Sequence, residues 1–405
     1  MRYLIARIDL DEQLPSLALK GYQGLALILV RRGRLIEFIL EEARGREVVD
    51  ASELAQLIVR KASEAILADQ IRHEQQNHLS SRMPSVTVAI CTRNRPEWVD
   101  RCLLALGSLN PAASDVAEDF EVLVVDNAPP DERTAAVVAR HSGVKYVVEP
   151  RAGLNFGRNR ALNEAKGHFL AYIDDDVVVS PGWLAGFREA WSENPDAKAF
   201  TGLVLPFSLD TEAQVLFERR GGFRRGFRKK RFCSVDPSNP LAPCGAGSFG
   251  AGANMAFERE SVLKIGGFDE ALDTGAPLPG GGDLDMFYRM ARTGAPFVYE
   301  PQFAVLHDHR REIAQLRRQY WTWGLAHMAF IVKSHRTDPA YRRLLRKLVR
   351  WWFLDQFSQF WLSLRGRHVL PPNMIAVELW GGVIGLLGEY DRSVRRVAKI
   401  REHYQ

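Results

Sequence analysis

Three consecutive carboxylates, Asp174, Asp175 and Asp176, are the residues of this chain whose types and spacing most clearly indicate chemistry. They follow a short apolar run, Phe169 to Ile173, whose residue types predict a strand. Adjacent carboxylates repel one another unless a cation lies among them. Mg²⁺ and Mn²⁺ prefer such oxygen ligands and leave coordination positions open for phosphate. The triplet therefore predicts a divalent metal site, with a solvated acidic loop as the alternative.

The elements that position this triplet belong to a β–α alternation that begins at Val86. Such an alternation predicts an α/β fold with a mostly parallel sheet flanked by helices. Ligands of these sheets bind at the carboxyl ends of the strands, so polar clusters that follow several strands should meet at one edge. The predicted strands are Val86–Cys91, Phe120–Val125, Val144–Val148 and Phe169–Ile173, the predicted helices are Pro96–Leu106, Asp131–His141 and Gly157–Ala165, and the clusters are Thr92–Arg95, Asp126–Asn127 and Asp174–Asp176.

Six motifs follow one another along the middle of the chain: VTVAICTRNRPEWVDRCLLAL, EVLVVDNAPPD, EPRAGLNFGRNRALNEAKGHFLAYIDDDV, GAGANMAFERESVLKIGGFDE, PLPGGGDLDMFYRM and VLHDHRR. Their order and spacing resemble a family 2 glycosyltransferase with a Rossmann-like GT-A fold. The resemblance covers about residues 84–312 and leaves out the first 80 residues and most of the tail. It implies an inverting, metal-dependent enzyme that uses a nucleoside-diphosphate sugar.

The resemblance assigns the acidic triplet to the family's DxD metal motif. Asp174 and Asp176 match its two aspartates, with Asp175 between them, and the sequence leaves open which of the three contacts the ion. His307 matches a histidine that completes metal or diphosphate binding, whereas His309 either packs or faces the acceptor. The implied cofactor is Mn²⁺ or Mg²⁺, which would neutralise the departing diphosphate.

A nucleotide-sugar site is implied at the same edge. Asp126 would contact the base or ribose, although an ordinary turn residue at a strand end is the alternative. Arginine side chains suit phosphate oxygens. The implied binding residues are Thr92, Arg93, Asp126, Arg151, Arg158, Asn159, Asp174 and Asp175.

The glycine-rich stretch Gly280–Gly282 precedes two further aspartates, Asp283 and Asp285. Asp283 matches the family's general base, which would take the proton of the acceptor hydroxyl. Many relatives have Glu-Asp here, and this chain lacks that glutamate. Asp285 is the second candidate for the base, and supporting the following helix is its alternative role. N-capping by Asp283 is compatible with catalysis.

The two ends of the chain are predicted to fold differently. A small N-terminal α+β domain with a structural or docking role is predicted for residues 1–80, and the polar segment from His73 to Ser85 is predicted to be a linker. Residues 84–312 would form the GT-A glycosyltransferase domain, and residues 313–405 a helical C-terminal region. The basic stretch Arg219–Arg231 is interpreted as a flap over the active site or a contact for a phosphorylated acceptor, with a solvated loop as the alternative.

Charge is unevenly distributed along the chain. The net charge is +5, yet the segment from Arg310 to Gln405 contains 18 Lys and Arg against 7 Asp and Glu. Its helices also carry six tryptophans, which beside arginine suit a membrane interface, and a helical cap with buried aromatics is the alternative. This charge favours an anionic membrane or lipid phosphate over nucleic acid. The four cysteines form no CxxC pair, and no apolar run reaches 18 residues. We therefore expect a cytoplasmic protein, at the inner face of a membrane if the tail binds it.

The predicted function is sugar transfer to a hydroxyl of a glycan, a lipid-linked or a small-molecule acceptor, as in polysaccharide biosynthesis. A nucleotidyltransferase is the first alternative, although Val86–Pro96 lacks the glycine- and lysine-bearing loop expected of one. A non-catalytic nucleotide-sugar-binding scaffold is the second alternative. The sequence carries no signal that identifies the sugar, the base or the oligomeric state.

Overall fold

The computed structural model describes residues 1–75, 83–109, 120–233, 241–272, 275 and 278–404. Residues 76–82 of the predicted linker lie outside the described residues. The first three residues of that linker are helical, because the helix predicted to end near Gln70 continues to Gln75.

The described residues form fourteen strands, twelve α-helices and two short 3₁₀ helices, at Ala246–Ser248 and Pro339–Tyr341. The strands are β1 Tyr3–Asp9, β2 Leu17–Ala18, β3 Gly24–Arg31, β4 Arg34–Glu42, β5 Val48–Val49, β6 Val86–Thr92, β7 Phe120–Asn127, β8 Val144–Glu149, β9 Phe169–Asp174, β10 Val177–Val179, β11 Ala199–Pro206, β12 Lys230–Phe232, β13 Asn254–Glu258 and β14 Phe297–His307. The helices are α1 Ala51–Gln75, α2 Pro96–Gly107, α3 Arg133–Val138, α4 Leu154–Glu164, α5 Trp183–Glu193, α6 Glu212–Arg219, α7 Arg259–Lys264, α8 Gly282–Arg292, α9 Ile313–Thr337, α10 Arg342–Leu364, α11 Pro372–Leu386 and α12 Glu389–His403.

A nine-stranded sheet forms the centre, in the order β10-β14-β11-β13-β9-β6-β7-β8, with β12 paired to β14. Strands β9, β6, β7 and β8 are parallel, as the β–α alternation predicts, and β14 is parallel to β11. The remaining pairings are antiparallel. The predicted α/β class and the helix-flanked sheet are confirmed, and the sheet as a whole is mixed.

Side chains of β9 alternate between two hydrophobic cores, one on each face of the sheet. Phe169, Ala171 and Ile173 pack on one side, against α2 and α5. Leu170 and Tyr172 pack on the other side, with α4 and α8. Because both faces are covered, the polar residues of the strand are confined to its end, where the acidic triplet begins.

The N-terminal residues form a sheet of their own, β1-β3-β4, covered on one face by α1. The other face packs on the central sheet: Ala26, Ile28 and Phe38 share a core with Leu205 and Tyr299. The predicted N-terminal α+β unit therefore contacts the central domain through a hydrophobic interface, and the division of the chain into three domains stays a prediction.

Helices α9 to α12 form the predicted helical C-terminal region. Helices α9 and α11 cross closely because glycines of each helix face the backbone of the other. A Cβ on Gly324 would lie 2.0 Å from the main-chain carbonyl oxygen of Glu378, and one on Gly381 would lie 2.1 Å from that of Trp321. Among the described residues, no helix has both the length and the apolar character needed to cross a bilayer.

Candidate functional site

The acidic triplet spans the turn between β9 and β10. Asp174 is the last residue of β9, and β10 begins directly after Asp176. Strand β10 pairs antiparallel with β14 so that Val177 lies opposite His307. The backbone N–H of Asp308 donates to the main-chain carbonyl oxygen of Asp176. This pairing brings the histidine motif next to the triplet, as the metal prediction requires.

Asp175 is held by the loop after β6. Its carboxylate accepts a hydrogen bond from Thr92 Oγ1 at 2.7 Å and pairs with Arg95 at 2.9 Å. Because Thr92 and Arg95 use both carboxylate oxygens, and Asp175 is buried, this aspartate orders the loop and has the least capacity left for a metal ion.

Asp176 faces the histidine motif and is also buried. Its Oδ2 lies 3.4 Å from Arg95 and 4.0 Å from Arg310, whereas its Oδ1 is buried without a hydrogen-bond partner. His307 Nε2 lies 3.3 Å from this Oδ1. A buried carboxylate oxygen without a partner is costly, and a bound cation would satisfy it.

A divalent ion fits this arrangement. Asp174, Asp176 and His307 each offer one ligand atom, and these atoms lie within 4.8 Å of one another. Burial, and next the charge of Asp176, raise the pKa of Asp174 to about 7. A cation among these groups would oppose that shift, because positive charge favours the ionised carboxylate. The residues predicted to bind metal are thus brought together, and the identity of the ion stays a prediction.

Asp126 lies at the end of β7, beside the loop that carries Thr92. It is buried and accepts a hydrogen bond from the Tyr146 hydroxyl at 2.9 Å, and burial is the first cause that raises its pKa. Its register partner across the sheet is Thr92. The structure therefore places two predicted nucleotide-binding residues side by side at the edge of the sheet.

Arg151 precedes α4, Arg158 and Asn159 lie within it, and all three have protein partners. Arg151 pairs with both oxygens of Glu149 at 2.7 and 2.8 Å. Arg158 is buried and donates to Asn155, and its charge counteracts the raised pKa of Asp174.

Asn159 is bonded to the Phe268 N–H and carbonyl, away from the triplet. Arg93, by contrast, is exposed. Of Arg93, Arg151, Arg158 and Asn159, Arg158 is therefore the one whose charge affects the pKa of Asp174 in the triplet.

Asp283 and Asp285 have different surroundings. Asp283 lies in the first turn of α8 and is partly exposed. It accepts from the N–H of Gly252 at 3.2 Å and is close enough to contribute to the raised pKa of Asp174. A Cβ on Gly252 would lie 3.0 Å from its side chain, so the glycine allows this approach.

Asp285 is fully buried between Arg289 and Lys333. The position of Asp283 beside the triplet supports it as the candidate base, and the two cations around Asp285 support a structural role.

Three residues at this site were not singled out individually from the sequence. Arg95 bridges Asp175 and Asp176, Arg225 lies near Asp283 and donates to the Gly247 carbonyl, and Glu218 contacts His309. For His309 itself, the sequence predicts either packing or acceptor contact. Arg95 stands in the predicted polar cluster after β6, which is a usable signal, whereas nothing in the α6 sequence marks Glu218 as buried and polar.

The sequence model for the family described as Glycosyl transferase family 2 matches residues 87–249, which include β6, the acidic triplet and the loop before β13. The chain carries a glycosyltransferase family 2 domain. The resemblance inferred from the motifs is thereby confirmed, and the helix-flanked α/β sheet is the architecture that it implies.

Relatives of this family 2 domain differ in length and function. The Pre-mycofactocin glycosyltransferase of Mycobacterium tuberculosis is 26% identical over 258 residues, which span 63% of this chain and 49% of that protein. The Succinoglycan biosynthesis protein ExoM of Rhizobium meliloti is 26% identical over 260 residues, 62% of this chain and 76% of that protein.

Among solved structures, a mannosyltransferase from Pyrobaculum calidifontis in complex with GDP-Man and Mn²⁺ is 15% identical, with a TM-score of 0.46 over 85% of this chain and 86% of that one. Since this chain covers about half the length of the mycobacterial relative, substrates and partners of the whole protein are proposals.

Proposed function

We propose that this family 2 chain is a metal-dependent inverting glycosyltransferase, which moves a sugar from a nucleoside-diphosphate donor to a hydroxyl of a glycan, lipid-linked or small-molecule acceptor. The observation that carries the proposal is the meeting of Asp174, Asp176, His307 and Asp283 at the edge of the sheet in a family 2 domain. The donor class follows from the family, and Mn²⁺ or Mg²⁺ is the proposed ion.

Different residues are proposed to bind the metal ion, the nucleotide and the phosphate groups. Asp174, Asp176 and His307 would hold the ion, which would supply positive charge against the donor diphosphate. Asp126 and Thr92 orient the nucleotide. Arg95 and Arg310 keep positive charge beside Asp176, with side chains about 40% exposed and thus open to phosphate oxygens.

Asp283 acts on the acceptor in this mechanism. Its carboxylate takes the proton of the attacking hydroxyl as the acceptor oxygen bonds to the anomeric carbon. The bond to the diphosphate breaks as the new one forms, and a single displacement inverts the anomeric centre. The neighbouring Gly252 N–H holds the carboxylate in place, and the Arg225 guanidinium lies near enough to interact with it electrostatically.

A donor panel tests this function. Purified protein is mixed with several nucleoside-diphosphate sugars, with and without Mn²⁺, and release of the nucleoside diphosphate is measured. We expect release from one donor class that depends on the ion and is lost in Asp176→Asn, since a neutral amide cannot offset the charge of the ion. Binding of a donor without release would favour a scaffold. Unchanged metal-dependent binding by Asp176→Asn would remove the triplet from the site.

We further propose that an anionic membrane surface is the partner of helix α10. Trp351, Leu354, Phe357, Trp361 and Leu364 recur every three or four residues, and each is between 52% and 60% exposed. This spacing places five large apolar side chains on one helix face. Trp352, by contrast, is buried and packs with the core, so the helix is both a cap and a carrier of an exposed apolar stripe.

The charges around this stripe match lipid headgroups. Five exposed basic residues precede it and two follow it, while the single acidic residue of α10, Asp355, is half-buried and accepts from Gln359. Apolar side chains between basic ones are the pattern of helices that lie in the membrane interface. The basic residues are Arg342, Arg343, Arg346, Lys347, Arg350, Arg365 and Arg367. The chain would then work at the cytoplasmic face of a membrane.

A further inference from the structure

We propose that a groove between helices α9, α10 and α11 binds the hydrocarbon chain of an anionic membrane lipid, whose phosphate pairs with Arg346. The groove has a volume of about 310 Å³, which lies within the size range of ligand pockets in proteins. The inference rests on the proposed contact of α10 with an anionic membrane, and it adds to that surface a site for a single lipid chain.

The groove exists because α11 ends before its neighbours do. Helices α9 and α11 run side by side in the same direction. A Cβ on Gly381 would lie 2.1 Å from the main-chain carbonyl oxygen of Trp321, and one on Gly385 would lie 2.4 Å from that of Leu325. Helix α11 ends at Leu386, whereas α9 continues beyond that level. The last turns of α9 therefore have α10 beside them but not α11, and their side chains line the groove.

The floor of the groove is apolar. Its hydrocarbon side chains come from all three helices: Ile331 and Val332 of α9, Val349 of α10 and Leu386 of α11. Ile331 is buried, Val332 and Val349 are half-buried, and Leu386 is exposed. Because apolar surface in contact with water favours burial against other hydrocarbon, this floor suits a lipid chain better than a polar ligand.

The mouth of the groove is positively charged. The other lining residues are His335, Arg336 and Arg346, and no acidic side chain of the described residues lines the groove. Arg336 is paired with Asp391, whereas Arg346 is exposed and forms no ion pair with any carboxylate that the structure describes. Arg342 donates to the His335 carbonyl at 2.8 Å. Burial, and next the charges of Arg342 and Arg346, lower the pKa of His335, so both guanidinium groups lie close to the mouth.

One face of α10 connects this mouth to the exposed apolar stripe. Arg346, Arg350, Leu354 and Phe357 follow one another at intervals of three or four residues, which places them on the same side of the helix. Arginine side chains at the end of an apolar helix face reach the level of the lipid headgroups. A membrane in contact with the stripe would therefore bring lipid phosphates to Arg346, at the entrance of the groove.

Charge favours a lipid over a second copy of the chain as the occupant. The segment from Arg310 to Gln405 contains 18 Lys and Arg against 7 Asp and Glu, so two such segments repel each other. An arginine fork, by contrast, matches the oxygens of a phosphate group. The apolar floor and the free guanidinium thus require two features in one ligand, a long hydrocarbon chain and an anionic head.

Soluble single-chain compounds test the site without a membrane. Dodecyl phosphate, octyl phosphate, dodecyltrimethylammonium and inorganic phosphate are titrated by calorimetry against the full chain, the amphiphiles below the concentrations at which they form micelles. We expect saturable binding of dodecyl phosphate. Octyl phosphate should bind about 10-fold more weakly or worse, because each buried methylene raises affinity by about fourfold. The cationic amphiphile and inorganic phosphate should show no comparable binding.

Three variants locate the binding. Arg346→Glu should weaken dodecyl phosphate binding by about 10-fold or more, since each cation near a lipid phosphate contributes a several-fold increase in affinity. Lys347→Glu is the matched control: it makes the same change in net charge at the next exposed position, but Lys347 does not line the groove. Val349→Trp should also weaken binding by filling the groove, and denaturant unfolding checks that this variant is folded.

Four results would overturn the inference. These are unchanged affinity in Arg346→Glu, an equal loss in Lys347→Glu, equal binding of inorganic and dodecyl phosphate, and a native dimer that Val349→Trp dissociates without any binding of dodecyl phosphate. The last result would make a second copy of the chain the occupant. Binding of dodecyl phosphate by a chain that does not bind anionic vesicles would reject the proposed membrane contact and leave this site intact.

Discussion

At the scale of single residues, the three aspartates of the triplet have different surroundings and therefore different capacities. Asp175 is saturated by Thr92 and Arg95. Asp176 has one satisfied and one orphaned oxygen, and Asp174 has the raised pKa. Three adjacent residues of one type are thus separated by strand geometry, because the loop after β6 lies on one side of the turn and the histidine motif on the other. This favours Asp174 and Asp176 as the metal ligands.

The first prediction concerns pH. The folded pKa of Asp174, about 7, lies above the ordinary value of 3.8, so the metal-free fold loses stability as the pH rises toward 7. Mn²⁺ binds the ionised carboxylate and releases its proton. The increase in Tm caused by saturating Mn²⁺ should therefore be larger at about pH 8 than at about pH 5. Asp174→Asn should abolish this pH dependence, and an equal Tm increase at both values would contradict it.

The second prediction separates Asp283 from Asp285. Asp283→Asn should reduce turnover by about 10²–10⁴-fold, the usual share of a general base, with nearly unchanged diphosphate affinity because Asp283 acts on the acceptor. Asp285→Asn removes one charge from a buried group with two cations and should cost about 3–5 kcal/mol of unfolding free energy. Transfer rates, diphosphate affinity and denaturant unfolding are the measurements.

The comparison of these two variants also tests the assignment of the base. Normal transfer by Asp283→Asn, together with lost transfer by a folded Asp285→Asn, would move the base to Asp285. Normal transfer by both would reject the displacement mechanism at this loop.

At the scale of elements, helix α8 connects the candidate base to the C-terminal region. Asp283 lies in the first turn of the helix, and Asp285, two residues further on, pairs with Lys333 of α9. The position of the base thus depends on how α9 packs, and α9 is in turn held by α11 through the glycine crossing. The C-terminal helices therefore support the candidate base through the contact of α9 with α8.

The third prediction concerns this crossing. Gly381→Ala would place a Cβ 2.1 Å from the Trp321 oxygen, so α9 and α11 must separate, at a cost of about 1–3 kcal/mol or more. Gly107→Ala is the control, because it ends α2 with no atom within 4 Å and should be neutral or slightly stabilising. Denaturant unfolding of both variants is the measurement, and equal stability would mean that the helices are not in close contact.

The sequence predicted the edge of the sheet because the residues of that edge follow local patterns. The apolar runs before Thr92, Asp126 and Asp174 identify three parallel strands, and their register then follows from the topology. Helix α4 begins three residues earlier than the predicted Gly157, because Gly153 adopts a φ of 148° and its N–H donates to Asn127 Oδ1.

Contacts between distant parts of the chain could not be predicted in this way. The pairing of β10 with β14 places His307 against Asp176, and the packing of α6 places Glu218 against His309. Neither contact leaves a periodic signal in the sequence. The motif resemblance identified His307, whereas Glu218 is identified only by its contact with His309 in the folded chain.

At the scale of the whole molecule, ion pairs and hydrogen bonds join the N-terminal unit and the basic stretch to the central domain. Arg34 and Lys229 pair with Glu189, and Gln302 exchanges two hydrogen bonds with the Leu35 backbone. The basic stretch is predicted to be a flap, a contact for a phosphorylated acceptor or a solvated loop, and three of its cations, Arg224, Arg225 and Lys229, contact the protein itself. The C-terminal helix α10, by contrast, carries a group of exposed cations beside exposed apolar side chains.

The fourth prediction places these helices on a membrane. The full chain should bind vesicles that contain anionic lipid and not purely zwitterionic ones, and salt should weaken binding because exposed charges are screened. Trp351→Ser combined with Trp361→Ser removes two exposed anchors and should release the protein while leaving unfolding free energy within about 0.5 kcal/mol.

Trp352→Ser is the matched control: this tryptophan is buried, so its loss should cost about 3–5 kcal/mol, as for other large buried side chains. Co-sedimentation with vesicles and denaturant unfolding measure the two effects, and size-exclusion chromatography distinguishes a lipid partner from a second copy of the chain. Dimers that dissociate in the double variant, without vesicle binding by the native chain, would assign the stripe to self-association. A stripe that binds vesicles would bring the site to the surface where lipid-linked acceptors reside, because α10 packs on the same helices that support α8.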